Sequence, residues 1–95
     1  MKANGQQLPV INLNGTSAGA LLEQANEVKS YLINAQAAMR LARPHGRDYQ
    51  TAEAGAFELA RVQFKVQEGS LQRVVDYFEA LALHAYHAAN PGVTV

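Results

Sequence analysis

Two long runs of apolar residues, spaced alternately by three and four and separated by a segment containing Pro44, constrain this chain more than any other feature. The first run is Leu21, Ala25, Val28, Leu32, Ala35, Met39 and Ala42. The second is Phe57, Ala60, Phe64, Gln67, Leu71, Val74, Phe78, Leu81, Ala85 and Ala88, with Gln67 as its one polar member, read as a register-setting residue. Spacing that averages near three and a half residues is the seam of one helix packed on another at a shallow angle. Asn14-Gly15-Thr16-Ser17 offers a turn and an N-cap hydroxyl before the first helix, and Pro44 ends it, because the residue before a proline is pushed out of the helical region. Thr51 is a candidate N-cap for the second helix, and Asn90-Pro91-Gly92 stops it. The boundaries expected are 17–42 and 52–89, roughly 39 Å and 57 Å long at the α-helical rise.

The fold class that follows is all-α: a single helical domain built as a long antiparallel hairpin, with an arm over 1–15, a basic loop over 43–50 and a tail over 90–95. Gly55 loosens the first turns of the second helix, and Glu68-Gly69-Ser70 either kinks the rod or splits it, with Ser70 then capping a separate helix. A hairpin and a three-helix chain both satisfy the pattern. Seventeen alanines favour close-packed helices with thin cores. The segment Leu8-Pro9-Val10-Ile11-Asn12-Leu13 is too short for a helix and carries a proline, so it runs extended and needs a surface to cover. Further apolar residues flank both seams, Leu22 and Ile33 on the first helix and Val62, Val66, Val75, Ala82 and Tyr86 on the second. Two helices cannot bury two faces each, so a homo-oligomer is expected, with Leu22, Ile33, Val66, Val75 and Tyr86 at its interface. The simpler alternative is that the arm covers the second stripe.

Size and charge narrow the function classes. Ninety-five residues fit one domain, and eight basic side chains balance eight acidic ones, so no overall field draws the chain to nucleic acid or to an anionic membrane. Duplex nucleic acid is not an expected partner, because one basic tip makes few phosphate contacts along a duplex. The absence of cysteine removes disulfides, thiolate nucleophiles and Cys-based zinc sites. No apolar run approaches the length of a membrane span and the first residues do not read as a signal peptide, so a cytoplasmic address and no membrane partner are expected.

The chemistry gathers at one end. Between Glu27 and Asp48 there is no acid, while Lys29, Arg40, Arg43 and Arg47 fall in that stretch. Arg40 and Arg43 share a helix face and also suit the negative end of the helix dipole. The loop Arg43-Pro44-His45-Gly46-Arg47-Asp48-Tyr49-Gln50 holds two guanidinium groups, an imidazole, a carboxylate and a phenol. Guanidinium forks bind phosphate bidentately, an aromatic ring stacks on a base and Gly46 admits close backbone approach, so Arg40, Arg43, His45, Arg47 and Tyr49 form the candidate site for a nucleotide-like anion. The competing reading is a tight interhelical turn in which Asp48 pairs with an arginine, Tyr49 packs under the loop and His45 faces water. His84 and His87 lie three apart but lack a suitably spaced carboxylate, so neither metal nor cofactor is expected. Ser17, Ser30 and Ser70 sit in no nucleophile motif, and no paired acids or phosphate loop are present, so the chain does not read as an enzyme.

The pieces Asn12-Leu13-Asn14-Gly15-Thr16-Ser17, Leu21-Leu22-Glu23-Gln24, Pro44-His45-Gly46-Arg47-Asp48-Tyr49 and Ala80-Leu81-Ala82-Leu83-His84 together resemble a set of small, uncharacterised helical proteins of tailed phages and prophages. The chain departs from that pattern at Gly19, where an acid would complete a capping box with Thr16, and at Gln50, where a second tyrosine often follows Tyr49. The resemblance implies a counter-defence factor acting in the host cell, either a sponge for a nucleotide signal or a blocker of a host protein. Two expectations follow. One is a non-enzymatic oligomer whose basic loop captures a phosphate-bearing small molecule. The other is a module that grips a host or virion protein through an apolar stripe on the second helix.

Overall fold

The computed structural model describes residues 2–3, 5–12 and 14–92; Leu13 of the expected arm and 93–95 of the expected tail lie outside the described residues. The chain is mostly helical. Two short strands, β1 (Lys2–Ala3) and β2 (Gln6–Gln7), pair antiparallel, and helices α1 (Ala18–Leu41) and α2 (Ala56–Ala89) pack on each other as a hairpin. The molecule extends 61 × 26 × 23 Å, close to the length of α2 with the loop and arm added.

The start of α1 follows the local signals. Ser17 takes the extended N-cap conformation and its hydroxyl accepts the Ala20 backbone N–H at 3.2 Å, so Ser17 rather than Thr16 is the cap. Asn12 closes the preceding turn, its side-chain oxygen accepting the Asn14 N–H at 2.9 Å.

The start of α2 corrects the expected boundary. Thr51 and Ala52 lie in turns, a 3-10 turn covers Gly46–Tyr49, and the helix begins only after Gly55, which is left-handed at φ 85°. A glycine tolerates that conformation without strain, and it redirects the chain into the second helix. Beyond it α2 is continuous through Gly69 for 34 residues. Ser70 does not cap a separate helix, because its hydroxyl donates back to the Val66 carbonyl at 3.1 Å.

The helices meet along one shared line and one line that the sequence misassigns. Ala25, Leu32 and Met39 on α1, and Leu71, Phe78 and Ala85 on α2, point into the contact as the spacing predicts. Their companions slide by one residue. Lys29 and Gln36 are partly covered in place of Val28 and Ala35, Glu68 and Val75 replace Gln67 and Val74, and Ala82 is buried beside the half-buried Leu81. Val75, expected at an oligomer interface, is only 5% exposed and belongs to the hairpin core, as does Ala82. Gln67 is exposed and sets no register in the seam.

Two cross-helix contacts hold this arrangement: Gln36 Nε2 donates to Gln72 Oε1 at 2.7 Å, and Arg43 pairs with Glu68. Polar seam residues are tolerated because each reaches a partner or water at the edge of the contact, where a long stem still covers apolar surface. The register set by Gln36 and Gln72 brings Ala25 opposite Ala82 and Ala85, three alanines that are all buried. Their small side chains let the backbones approach closely, so dispersion contacts replace bulky side chains as the source of cohesion.

The arm covers part of α2. Leu8 is 5% exposed, Gln6 Nε2 donates to the Tyr77 carbonyl at 3.2 Å, and His84 Nε2 lies 2.7 Å from the Pro9 carbonyl oxygen. Three extended residues advance roughly 10 Å and seven helical residues about the same, so the arm runs alongside α2 in the same direction. It leaves Val62 and Val66 exposed, so it does not cover the outer stripe.

Two outcomes test this fold. Gly69 lies mid-helix, and a methyl group there meets only the Arg73 guanidinium at 3.8 Å. Gly69→Ala therefore raises stability by about 1 kcal/mol, read as a higher midpoint in a circular-dichroism melt. A helix broken at this position would gain nothing. Leu8→Ala loosens the arm, so amides of 6–12 exchange hydrogen faster while those of Ala25 and Ala85 keep their protection.

Candidate functional site

The basic end of the hairpin is built from the last turn of α1, the 3-10 turn and the first three turns of α2. The loop folds back over Phe57: the Tyr49 ring centroid lies 5.8 Å from that of Phe57, and the space beyond Gly46 ends at the Phe57 ring, 3.6 Å from where a Cβ would sit. Gly46 thus admits an internal aromatic ring, not the approach of a ligand. Arg61 also lies over the ring, its guanidinium carbon 5.6 Å from the centroid, and pairs with Glu58 at 2.7 Å.

The five predicted site residues fall into two groups. Arg43 and Tyr49 are engaged within the chain. Arg43 donates from Nε at 3.1 Å and from Nη2 at 2.8 Å to the same Glu68 oxygen, which fixes the guanidinium and leaves Nη1 free to donate elsewhere. Tyr49 is half-buried against Phe57. Arg40, His45 and Arg47 are exposed and make no hydrogen bond or ion pair among the described residues. Asp48 lies in the 3-10 turn and is not the partner of an arginine; Glu68, seventeen residues beyond the loop's Thr51, takes that role. Sequence reasoning missed Glu68 because it was read only as part of a breaker with Gly69. Its signal was the acid itself, placed where a 3-4-4 step from Ala60 and Phe64 returns it to the seam.

Arg43 and Pro44 stand between two open clefts. One, of about 640 Å³, is lined by Ala42, Asp48, Tyr49, Gln63 and Gln67 among others. The other, of about 460 Å³, is lined by Glu58, Arg61, Val62, Lys65 and Glu68. The first offers a phenol, a guanidinium, two amides and the Asp48 carboxylate; the second offers three cations against two acids, both of them already paired. A third cleft of about 750 Å³ lies between the arm and α2, where one cation, Arg73, stands against two acids, Asp76 and Glu79. It was not foreseen, because nothing in the sequence places the arm beside those residues.

The histidines are separated by their contacts. His84 is turned to the arm, whereas His87 is exposed and meets Tyr86 edge-on at 5.8 Å. Among the expected interface residues, Ile33 and Val66 are exposed, Leu22 and Tyr86 are half-buried, and Val75 is enclosed. Among the described residues no helix is long and apolar enough to cross a membrane. Comparison with family models, curated proteins and solved structures finds no match.

The Arg43–Glu68 pair is open to solvent on the arginine side, and such pairs contribute at most about 1 kcal/mol. Arg43→Ala is therefore expected to lower the melting midpoint by only a few degrees while leaving the helical circular-dichroism signal intact. A collapse of that signal would show that the pair holds the hairpin together.

Proposed function

We propose that this chain is a non-enzymatic, phage-encoded binding protein that acts in the host cytoplasm as a homo-oligomer. It sequesters a phosphate-bearing, nucleotide-like small molecule at its basic tip. One observation carries the reading. Glu68 holds the Arg43 guanidinium at the mouth of a cleft that also contains Tyr49 and Asp48, while Arg47 is exposed and unpaired in the loop and Arg40, also exposed and unpaired, lines a smaller cleft with Arg43, Gln36 and Gln72. A phosphate oxygen accepts from the remaining Arg43 donor and from the two mobile guanidinium forks, and the cleft is wide enough for a base or ribose beside the phenol. The resemblance to small phage proteins supports the counter-defence setting. Exposed apolar surface on both helices supports the oligomer.

A second reading rests on a different observation. Leu59, Val62 and Val66 follow one another by three and four along the outer side of α2, each 58% exposed. This stripe would suit a groove on a host or virion protein. It differs from the stripe expected from sequence, since Val75 is enclosed.

Native mass spectrometry of protein purified from bacterial cells with active nucleotide-signalling defences separates the two. The functional reading expects an oligomer carrying an additional mass of a few hundred daltons that is lost on denaturation. Arg43→Ala combined with Arg47→Ala should abolish the extra mass and keep the helical signal. Unchanged ligand retention in a folded double variant sinks the small-molecule reading, and a bare monomer favours the protein-binding one.

A further inference from the structure

The two helices carry eleven formally charged side chains, and none of them lies on one flank of the hairpin. On both helices, the residues one before and three after each central seam position form a single flank beside the contact line. On α1 this flank includes Val28, Tyr31, Ala35 and Ala38, and on α2 it includes Gln67, Val74 and Tyr77. Both helices present it on the same side of the molecule, since Ala42 after α1 lines one cleft together with Ala60, Gln63 and Gln67 of α2. The opposite flank holds the Arg43–Glu68 pair, Arg61 and Lys65.

The uncharged flank is not covered by the hairpin itself. Tyr31 is 67% exposed and Val74 41%; the arm occupies only the end of the flank on α2, where it meets Tyr77 and His84. The apolar residues here are those that the seam passes over. Val28, Ala35 and Val74 give a better apolar series than Lys29, Gln36 and Glu68, yet the hairpin partly covers the second set and leaves the first facing outward.

Area says how much surface needs a partner. The chain exposes 7002 Å², about 1,600 Å² more than a compact monomer of its 10.3 kDa mass. Its radius of gyration is 18.9 Å, against roughly 12 Å for a globular chain of this length. That excess is about twice the roughly 800 Å² that a standard interface removes from each partner, so the chain has ample surface for one. A second copy of the same chain fits the flank well. The surface is self-complementary, with small alanines that allow close approach, amides and phenols that hydrogen-bond to their own kind, and no like charges to desolvate.

We infer that this uncharged flank is the interface with a second copy of the chain, packed flank against flank about a two-fold axis. The inference rests on the oligomeric part of the functional reading and not on its ligand. The cleft that holds Arg43 and Tyr49 opens on the same flank, so the partner copy roofs it and turns an open cleft into a bounded site.

Light scattering with size exclusion over a concentration series tests this on the full chain. Wild type is expected at twice the monomer mass or a multiple of it. Ala35→Glu with Val74→Glu, and separately Ala38→Lys, are expected to give the monomer. Val62→Glu with Val66→Glu, on the outer stripe, is expected to keep the assembly. Because all these positions are exposed in the single chain, circular dichroism should stay helical, and a variant counts as dissociated only if it does. A monomeric wild type overturns it. So does an assembly that survives the flank variants, or one that the outer-stripe variant also breaks. Retained small-molecule mass is read separately by native mass spectrometry, so failure of the ligand reading and failure of this interface are distinguishable.

Discussion

Close approach of the helices at three alanines is the contact on which the rest of this structure depends. Ala25, Ala82 and Ala85 are buried where α1 enters and α2 leaves the hairpin, and no large side chain is fully enclosed anywhere among the described residues. Cohesion therefore comes from length and proximity instead of a deep core, and each additional turn of contact adds a small increment. A rod held this way cannot shield all its apolar residues, which explains both the arm laid along α2 and the apolar surface left over.

The far end is organised differently. There the helices are joined by aromatic packing and an ion pair: Phe57 gathers Gly46, Tyr49 and Arg61 around its ring, and Glu68 reaches across to Arg43. The same contacts that close the loop position the Arg43 guanidinium. Structure and candidate function are superimposed at this end, and the distinction falls between residues that are engaged, Arg43 and Tyr49, and residues that are free, Arg40, His45 and Arg47. Under the proposed function an anion at the tip would meet Arg43 as its one oriented donor, with the other cations exposed.

Much of this was legible in the sequence. Helix α1 lies within one residue of its expected bounds at each end, because Ser17 and Pro44 act through local geometry that tertiary structure seldom overrides. The basic tip was equally legible, since loop residues between antiparallel helices share one end whatever the packing. The late start of α2 was not, because it depends on Tyr49 finding Phe57 and on Gly55 turning left-handed, neither of which follows from the hydroxyl of Thr51. Glu68 as the partner of Arg43 escaped notice for a similar reason: the two are twenty-five residues apart and meet only once the register is set.

The sequence by itself determined that there are two helices, where α1 starts and stops, that α2 ends before Pro91, and that the cations gather at the loop, because caps, prolines and charge order act over a few residues. Only the tertiary structure decided which of two neighbouring apolar rows becomes the seam. A helix repeats every 3.6 residues, so steps of three and of four from Ala25, Leu32, Leu71 or Phe78 fall on either side of the same line, and both rows look amphipathic in isolation. The close fit of Ala25 with Ala82 and Ala85 goes with one of these rows, and the exposed Gln36–Gln72 and Arg43–Glu68 contacts mark the register it takes. It buries Val75 and leaves Val28, Ala35 and Val74 facing outward.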